Sequence, residues 1–245
     1  MRADRADRVG RGRVPDEKAG LRGWRRNIND NRPVIRLETP GDYRAVENLT
    51  REAFWNQSVP GCDEHYLVHT MRRHPDFIPE LAFVLEKDGE IVGNIMYTKG
   101  RLVDGQGHEK PCLTFGPISV APAQQRKGYG RMLIEHSFEV AMEMGYEVVV
   151  IFGNPDNYVA RGFKSCRKYN VCVEGDRFPA ALLVKELRPG VLGGRRWYFH
   201  ESSFGEACAD EAAVAAFDAT FPPKEKRWQP SQEEFYIHSH SSIGD

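Results

Sequence analysis

The sequence predicts an α/β fold of the α+β type, in which helices flank a mixed, mostly antiparallel sheet. Two observations predict it. Short β-rich runs separated by tight turns come first along the chain and favour antiparallel strands. An amphipathic helical pattern followed by a continuous apolar run comes next, and it favours a crossover to a buried parallel strand.

The predicted elements begin with a strand near Val34, where the run VIRLE alternates in polarity. Pro40 suits the first position of a helix, and Asp42 suits its positively polarised first turn. A helix is therefore expected from there to about Trp55. A second helix is expected over 63–73.

Three antiparallel strands follow in the prediction. The first two form a hairpin around the turn Lys87-Asp88-Gly89, and the third is the run CLTFGPISV. The elements expected after that run are a helix over 128–144, a strand over 147–152, a short helix near 156, strands over 163–167 and 181–186, and an Ala-rich helix over 210–217.

Composition predicts three regions: a flexible Arg-rich tail over 1–31, a folded domain over 32–188 and a C-terminal extension over 189–245. The tail has nine basic and five acidic residues with almost no apolar periodicity. An Arg-rich tail can bind nucleic acid, but its interspersed acidic residues weaken that field.

The whole-chain charge excludes several partners. Lys and Arg total 34 against 35 Asp and Glu, which leaves a net charge of -1 and no field that favours nucleic acid. No run approaches the roughly 18 apolar residues of a membrane span, and the N-terminus lacks a signal-peptide pattern. We therefore expect a cytoplasmic protein with no nucleic-acid or membrane partner.

Cysteine and histidine spacing predicts reduced thiols and no metal. The five cysteines are scattered, odd in number and without a CxxC pair. Cys62 and His65 have CxxH spacing, and His238 with His240 forms another pair. Neither pair has companions that would complete a four-ligand set.

The run Gln125-Arg126-Lys127-Gly128-Tyr129-Gly130 lies between a predicted strand and a predicted helix. Free N–H groups and the positive end of a helix dipole attract phosphate there, and Arg126, Lys127 and Arg131 add charge. An ordinary solvated loop is the alternative. The run lacks the Gly-Lys-Ser/Thr ending of a P-loop and the full GxGxxG of a dinucleotide fold, so it supports neither an NTPase nor a Rossmann dehydrogenase.

In the strand before this loop, the alternation of apolar and polar residues slips by one position. Its apolar positions are Leu113 and Phe115, then Ile118 and Val120, a slip of one residue around Gly116-Pro117. Such a slip predicts a bulge, and Pro117 lacks an N–H for strand pairing. Backbone groups of Ile118, Ser119 and Val120 would then be free for an extended ligand.

The run from 113 to 163, LTFGPISVAPAQQRKGYG through to YVARGF, resembles the core of GNAT N-acetyltransferases, in particular a poorly characterised group of predicted acetyltransferases. The resemblance implies the GNAT fold over 32–188, with splayed central parallel strands. It also implies acetyl-CoA as co-substrate and acetyl transfer to a primary amine. The cofactor-binding residues expected on this basis are Ile118, Ser119, Val120, Gln125, Arg126, Lys127, Gly128, Tyr129, Gly130, Arg131 and Asn154.

The same resemblance implies catalytic roles. Tyr158 precedes Gly162-Phe163 at the spacing of the family's general-acid tyrosine, although an aromatic residue that only packs is the alternative. A backbone N–H at Ile118 or Val120 would stabilise the oxyanion. Asn154 would contact the cofactor arm, but turn formation in Gly153-Asn154-Pro155 explains it nearly as well.

The general base is not identified by the sequence. No Asp or Glu occurs between Glu109 and Glu135, so the bulged strand offers no carboxylate. The candidates are a water chain or a side chain near the first two helices, each of which also has a simple surface role: Glu52, Asp63, Glu64 and His65. Aromatic residues of the extension are expected either to wall an acceptor pocket or to pack on the core: Trp197, Tyr198, Phe199 and Tyr236.

The missing strand carboxylate also supports a different function, a non-catalytic acyl-CoA-binding module that regulates a partner. A nucleic-acid-associated protein that uses its Arg-rich tail is a third hypothesis. The sequence leaves the amine acceptor open, as it does a homodimer.

Overall fold

A mixed β-sheet is the centre of this computed structural model, which describes residues 32–244. The segment predicted as a flexible tail, 1–31, lies outside the described residues. In the described part of the chain the strands are β1 Val34–Leu37, β2 Phe83–Lys87, β3 Glu90–Asp104, β4 Glu109–Val120, β5 Val148–Phe152, β6 Lys164–Ser165, β7 Val171–Cys172, β8 Leu182–Glu186 and β9 Trp197–His200.

Helices lie on both faces of the sheet. In the same described range they are α1 Tyr43–Phe54, α2 Glu64–Met71, α3 Tyr129–Glu143, α4 Pro155–Tyr158, α5 Glu211–Asp218 and α6 Pro230–His240. A single 3₁₀ turn, Pro40–Asp42, leads into α1, as the proline position predicts. No helix within residues 32–244 is both long enough and apolar enough to span a bilayer.

The first four strands form an antiparallel ladder in the order β1-β2-β3-β4. In the hairpin between β2 and β3, Lys87 pairs with Glu90. The two residues between them, Asp88 and Gly89, have φ angles of 54° and 84°. This left-handed backbone favours Asp-Gly in two-residue turns. The predicted hairpin is confirmed.

The crossover predicted from the apolar run is also confirmed. Leu113 of β4 pairs in parallel with Val149 of β5, and α3 connects the two strands. β5 then pairs with β8 and β8 with β6, both antiparallel, so the sheet is mixed. The structure therefore has the predicted fold class.

α3 buries its predicted apolar positions, Ile134, Phe138 and Ala141, against one face of the sheet. The opposite face is covered by α1 and α2. Met96 of β3 packs there against Val68 of α2. Residues of β3 and β4 thus alternate between the α3 face and the face covered by the first two helices.

The C-terminal extension continues the sheet. β9 pairs antiparallel with β3, from Arg101↔His200 to Asp104↔Trp197, and parallel with β7. The described residues from Pro33 onward form one compact unit. The extension and the core therefore share one sheet. The domain boundary placed at residue 188 remains a prediction.

Some elements differ from the prediction. The strand expected over 163–167 is shortened to Lys164–Ser165, because a 3₁₀ turn over Cys166–Tyr169 follows directly. The sequence did not predict β9 or α6. α6 has no helical apolar stripe, since its large apolar residues are consecutive and exposed: Phe235, Tyr236 and Ile237. The Ala-rich helix expected over 210–217 is α5.

Candidate active site

The two central parallel strands separate almost at once. Leu113↔Val149 is the one paired position between β4 and β5 in the described residues. One residue further on, the Thr114 hydroxyl donates a hydrogen bond of 2.9 Å to the carbonyl of Val150, in place of a backbone donor. β4 continues to Val120 along β3, while β5 ends at Phe152. A gap therefore opens between the two strands.

The bulge predicted in β4 lies at the start of this gap. Along β3 the pairing advances two residues, from Tyr97 to Ile95, while along β4 it advances three, from Phe115 to Ile118. The extra residue falls at Gly116-Pro117, as the slip in apolar positions predicts. A bulge bends its strand and increases the local twist. The register shift thus turns the end of β4 away from β5.

Backbone direction at the end of β4 follows from the ladder. The N–H of Ala121 donates to the carbonyl of Val92 on β3 at 2.9 Å. Pairing is regular from Ile118 to Val120, and successive residues of a strand direct their backbone groups to opposite edges. The backbone groups of Ile118 and Val120 therefore point to the gap, and those of Ser119 point to β3.

Ser119 has a structural environment. Its side chain is fully buried, and its hydroxyl donates to Thr50 Oγ1 of α1 at 3.0 Å. The carbonyl of Val120 accepts a hydrogen bond from Gln125 Nε2 at 3.2 Å, which ties the following loop to the strand. Of the three β4 residues predicted to contact a ligand, Ile118 and Val120 face the gap.

The glycine loop ends at the N-terminus of α3. Gly128 is the residue before this helix and has a φ of 88°, which only glycine adopts without strain. A Cβ atom on Gly130 would lie 3.7 Å from Val120 Cγ2 and 3.9 Å from Ile118 Cδ1. The first turn of α3 therefore lies against the end of β4. Its first N–H groups have no partner within the helix and, together with the helix dipole, favour an anion next to the gap; phosphate binding there stays a prediction.

The three predicted cations of this loop differ in their partners. Lys127 Nζ donates to the Ala123 carbonyl and to Gln124 Oε1, both at 2.9 Å. Arg131 forms an ion pair of 2.6 Å with Glu135 one turn along α3. Arg126 is exposed and has no ion pair within residues 32–244. Arg126 is thus the cation of the three that is free to meet an anionic ligand.

Tyr158 lies at the end of α4, beside the same gap. Its ring centroid is 5.7 Å from that of Phe115 in β4 and 5.8 Å from that of Phe163. Burial raises the pKa of the phenol to about 12. The hydroxyl is therefore protonated at neutral pH, the state that a general acid requires.

Asn154 acts as the N-cap of α4. Its Oδ1 accepts a hydrogen bond of 3.0 Å from the N–H of Asp156. This contact matches the turn interpretation of Gly153-Asn154-Pro155. A contact between its amide nitrogen and a cofactor arm stays a prediction.

The four candidate bases have different surroundings. Glu52 is an exposed residue in an ion pair of 2.8 Å with Lys224. His65 is fully buried, with Nδ1 3.4 Å from Cys62 Sγ and Nε2 3.1 Å from Asp218 Oδ1. Burial lowers the pKa of its imidazole to about 4. His65 is therefore enclosed among α1, α2 and α5 and has no open path to a substrate.

Asp63 and Glu64 lie at the start of α2. The backbone N–H of Asp63 donates to Glu64 Oε2 at 3.2 Å. Burial, and then the negative charge of Asp63, raise the pKa of the Glu64 carboxyl above its usual range. A raised pKa brings the Glu64 carboxyl closer to the range in which a base works at neutral pH.

The C-terminal extension adds β9, a strand that the sequence did not predict, and with it aromatic residues that were expected either to pack or to wall a pocket. Phe199 of β9 lies over Gly100, where a Cβ atom would be 3.2 Å from the Phe199 ring and 3.2 Å from Cys112 Sγ of β4. The run of three aromatic residues over 197–199 has high strand propensity, and that propensity was the available signal. Trp197 and Phe199 are buried, which matches the packing interpretation for both.

Comparisons with known proteins agree with this geometry. A family model described as the Acetyltransferase (GNAT) family matches residues 47–165. The uncharacterized N-acetyltransferase YhbS of Escherichia coli K12 is 25% identical over 161 residues, which cover 66% of this chain and 91% of that protein. The matched range of the family model includes the bulge, the glycine loop and Tyr158, and it ends before β9.

Solved structures share the fold. The structure of YhbS from Escherichia coli in complex with CoA aligns with a TM-score of 0.61 at 24% identity, over 71% of this chain and 92% of that one. A GNAT family acetyltransferase from Brucella melitensis in complex with acetyl-CoA aligns with a TM-score of 0.55 at 24% identity, over 71% of this chain and 98% of that one.

Proposed function

Because this chain belongs to the GNAT superfamily of acetyltransferases, we propose that it transfers the acetyl group of acetyl-CoA to a primary amine. The gap between β4 and β5 carries the proposal. It opens between the glycine loop, which suits phosphate, and Tyr158, which suits a general acid. A cofactor with a diphosphate at one end and a thioester at the other fits that order of features.

The diphosphate of acetyl-CoA would bind at the N-terminus of α3. The N–H groups over 126–131 and the free guanidinium of Arg126 provide its hydrogen-bond donors and charge. Gly128 lets the backbone approach the phosphate oxygens, since no Cβ stands in the way. Gln125 supports the site by holding the loop to Val120.

The pantetheine arm would lie along the gap as an extra strand. Its amides would exchange hydrogen bonds with the backbone of Ile118 and Val120, the residues whose backbone points away from β3. The bulge at Gly116-Pro117 turns the end of β4 away from β5. The backbone groups of Ile118 and Val120 are then left for the cofactor instead of pairing with β5.

The chemistry then needs three events. The neutral amine attacks the thioester carbon, and the negative charge on the carbonyl oxygen is stabilised by an N–H of Ile118 or Val120. The N–C bond forms in this step, and the C–S bond then breaks as the oxyanion re-forms the carbonyl double bond. The CoA thiolate takes the phenolic proton of Tyr158, and the attacking nitrogen loses a proton to a base.

The experiment that tests this function measures release of free thiol from acetyl-CoA with a panel of primary amines. We expect thiol release that depends on both the enzyme and the amine, with an acetylated amine as the second product. Binding of acetyl-CoA without thiol release for any amine would contradict catalysis and favour the regulatory acyl-CoA-binding module.

A further inference from the structure

The residue after β9, Glu201, lies beside β3, and β3 and β4 separate it from the gap. β9 pairs with β3 up to Arg101↔His200, so Glu201 follows directly beside Gly100. Gly100 pairs with Cys112 of β4 on its other side. Burial, and then the negative charge of Glu201, raise the pKa of the Cys112 thiol. Side chains of an extended strand alternate between faces, so Glu201, two residues after Phe199, is expected on the sheet face that Phe199 shares with Cys112.

Two aromatic rings lie on this face. The ring centroids of Phe152 and Phe199 are 6.3 Å apart. Phe152 is the last residue of β5, at the open end of the gap, and 47% of its surface is exposed. A large apolar side chain with this much exposure, next to a buried one, forms a surface to which an apolar group can bind.

The carboxyl of Glu201 has no compensating charge. It forms no ion pair within the described range, and its surface remains accessible to solvent. Nearby protein atoms nevertheless desolvate the group and raise the pKa of the carboxyl to about 7. An uncompensated carboxyl in a partly desolvated place is stabilised by a cation that enters from solvent.

Besides the Glu201 carboxyl, the hydroxyl of Thr98 on β3 is a second polar group without a hydrogen-bond partner in the described residues. The side chain of Thr98 is 1% exposed, and its Oγ1 has no hydrogen-bond partner within residues 32–244. On β3 it is two residues from Gly100, on the same face. Across the ladder it pairs with Thr114, whose hydroxyl binds Val150 at the point where the strands separate. The unpaired hydroxyl therefore lies between the gap and Glu201.

We propose that this face is the binding site for the acetyl acceptor, and that Glu201 selects a primary ammonium attached to an apolar group without a carboxylate. The inference rests on the proposed function. Phe152 and Phe199 would contact the apolar part of the acceptor, and the carboxylate of Glu201 would bind its ammonium.

Charge and proton balance follow from this arrangement. Ionised Glu201 accepts one proton from the ammonium, which leaves a neutral amine with a free lone pair. That lone pair forms the bond to the acetyl carbon, the C–S bond then breaks as the carbonyl re-forms, and Tyr158 protonates the thiolate. An acceptor with its own carboxylate would be repelled by Glu201, which makes the residue a determinant of specificity.

The test compares 2-phenylethylamine with L-phenylalanine, which differs by the added carboxylate. In wild type we expect kcat/KM for 2-phenylethylamine to exceed that for phenylalanine by about tenfold or more, and to rise with pH through about 7 as Glu201 ionises. In Glu201→Gln that rise should disappear, and kcat/KM for 2-phenylethylamine should fall about ten- to a hundredfold. The preference over phenylalanine should shrink as well.

Glu206→Gln is the matched control, since Glu206 is an exposed glutamate of the same extension. Acetyl-CoA affinity, measured by calorimetry, should be unchanged in both variants. No turnover of 2-phenylethylamine by an enzyme that binds acetyl-CoA would overturn this inference, as would an unchanged preference or pH profile in Glu201→Gln. Failure of the wild type to bind acetyl-CoA would instead contradict the proposed function.

Discussion

A Cβ atom on Gly153 would lie 2.6 Å from Cε2 of Tyr158. The tyrosine ring therefore occupies the space that any side chain at residue 153 would need. Since Tyr158 also contacts Phe115 and Phe163, the ring is enclosed by β4, the residue after β5 and the sheet core. The orientation of the proposed general acid thus depends on a glycine five residues earlier.

Replacement of this glycine should reduce turnover without changing cofactor affinity. In Gly153→Ala the new methyl group displaces the Tyr158 ring, and misplacement of a catalytic group by about 1 Å can cost ~10²-fold in rate. Steady-state kinetics should show kcat at least about tenfold lower, with the Kd for acetyl-CoA within about twofold of wild type. Gly105→Ala is the control, because a Cβ there meets nothing within 4 Å. Equal kcat in Gly153→Ala and wild type would contradict the importance of the ring position.

Removal of the phenolic hydroxyl tests the acid itself. Tyr158→Phe should lower kcat by about 10²-fold or more, the usual contribution of a general acid, while the ring still packs on Phe115. Thermal stability and acetyl-CoA affinity should stay close to wild type. Tyr146→Phe, another partly buried tyrosine against the same core, serves as the control. If Tyr158→Phe retains wild-type turnover, the residue only packs.

Stability should depend on pH through His65. Burial lowers the pKa of its imidazole from 6.5 to about 4 in the folded protein, against an opposing effect of Asp218. The unfolded chain therefore binds more protons between these two values, and the free energy of unfolding falls as pH decreases from about 6.5 to about 4. The loss attributable to His65 between pH 7 and pH 5 should be about 2 kcal/mol.

Urea denaturation at pH 7 and pH 5 measures this effect. In His65→Gln, which has no titrating ring, the difference between the two pH values should be smaller than in wild type by that amount. Identical pH dependence in the two proteins would show that the imidazole remains free to protonate in the folded state.

Asn56 should be a strong determinant of stability, because it joins the C-terminal extension to the end of α1. Its Oδ1 accepts from the N–H groups of Gly61 at 2.8 Å and Arg227 at 3.1 Å, and its Nδ2 donates to the Glu225 carbonyl at 3.1 Å. The residue is buried and has a φ of 60°, which asparagine tolerates better than most residues.

Asn56→Ala should therefore lower the free energy of unfolding by about 2–3 kcal/mol, from lost hydrogen bonds and left-handed backbone strain. Asn170→Ala is the matched control, because Asn170 has a φ of 54° but only long side-chain contacts, at 3.4 and 3.5 Å. Equal losses in the two variants would mean that the backbone strain alone matters, and that Asn56 does not hold the extension.

The sequence predicted the elements whose information is local. Alternation and an Asp-Gly turn were enough for β2 and β3, and the slip from Phe115 to Ile118 predicted the bulge. The glycine loop could be recognised because a strand pattern directly precedes it and a helical pattern directly follows it in the sequence. These features determine the cofactor side of the proposed site, which is why that side could be predicted.

The remaining features depend on contacts between distant residues. β9 forms only because Trp197 and Phe199 can pack beside β3, about a hundred residues away in the chain, and no local pattern shows that pairing. The surroundings of Glu201 and the hydrogen bonds of Asn56 likewise arise from the folded extension.

Calorimetric titration of wild type and Gly128→Val with acetyl-CoA, and separately with CoA, measures whether the glycine loop binds the cofactor. Gly128 has a φ of 88° and open space around its Cβ position at the loop, so valine would both strain the backbone and project toward the phosphate. Gly190→Val, at a φ of 81° with nothing nearby, controls for strain alone. We expect one-to-one binding in wild type and Gly190→Val and its loss in Gly128→Val. No binding of acetyl-CoA or CoA to the wild type would contradict the acetyltransferase function.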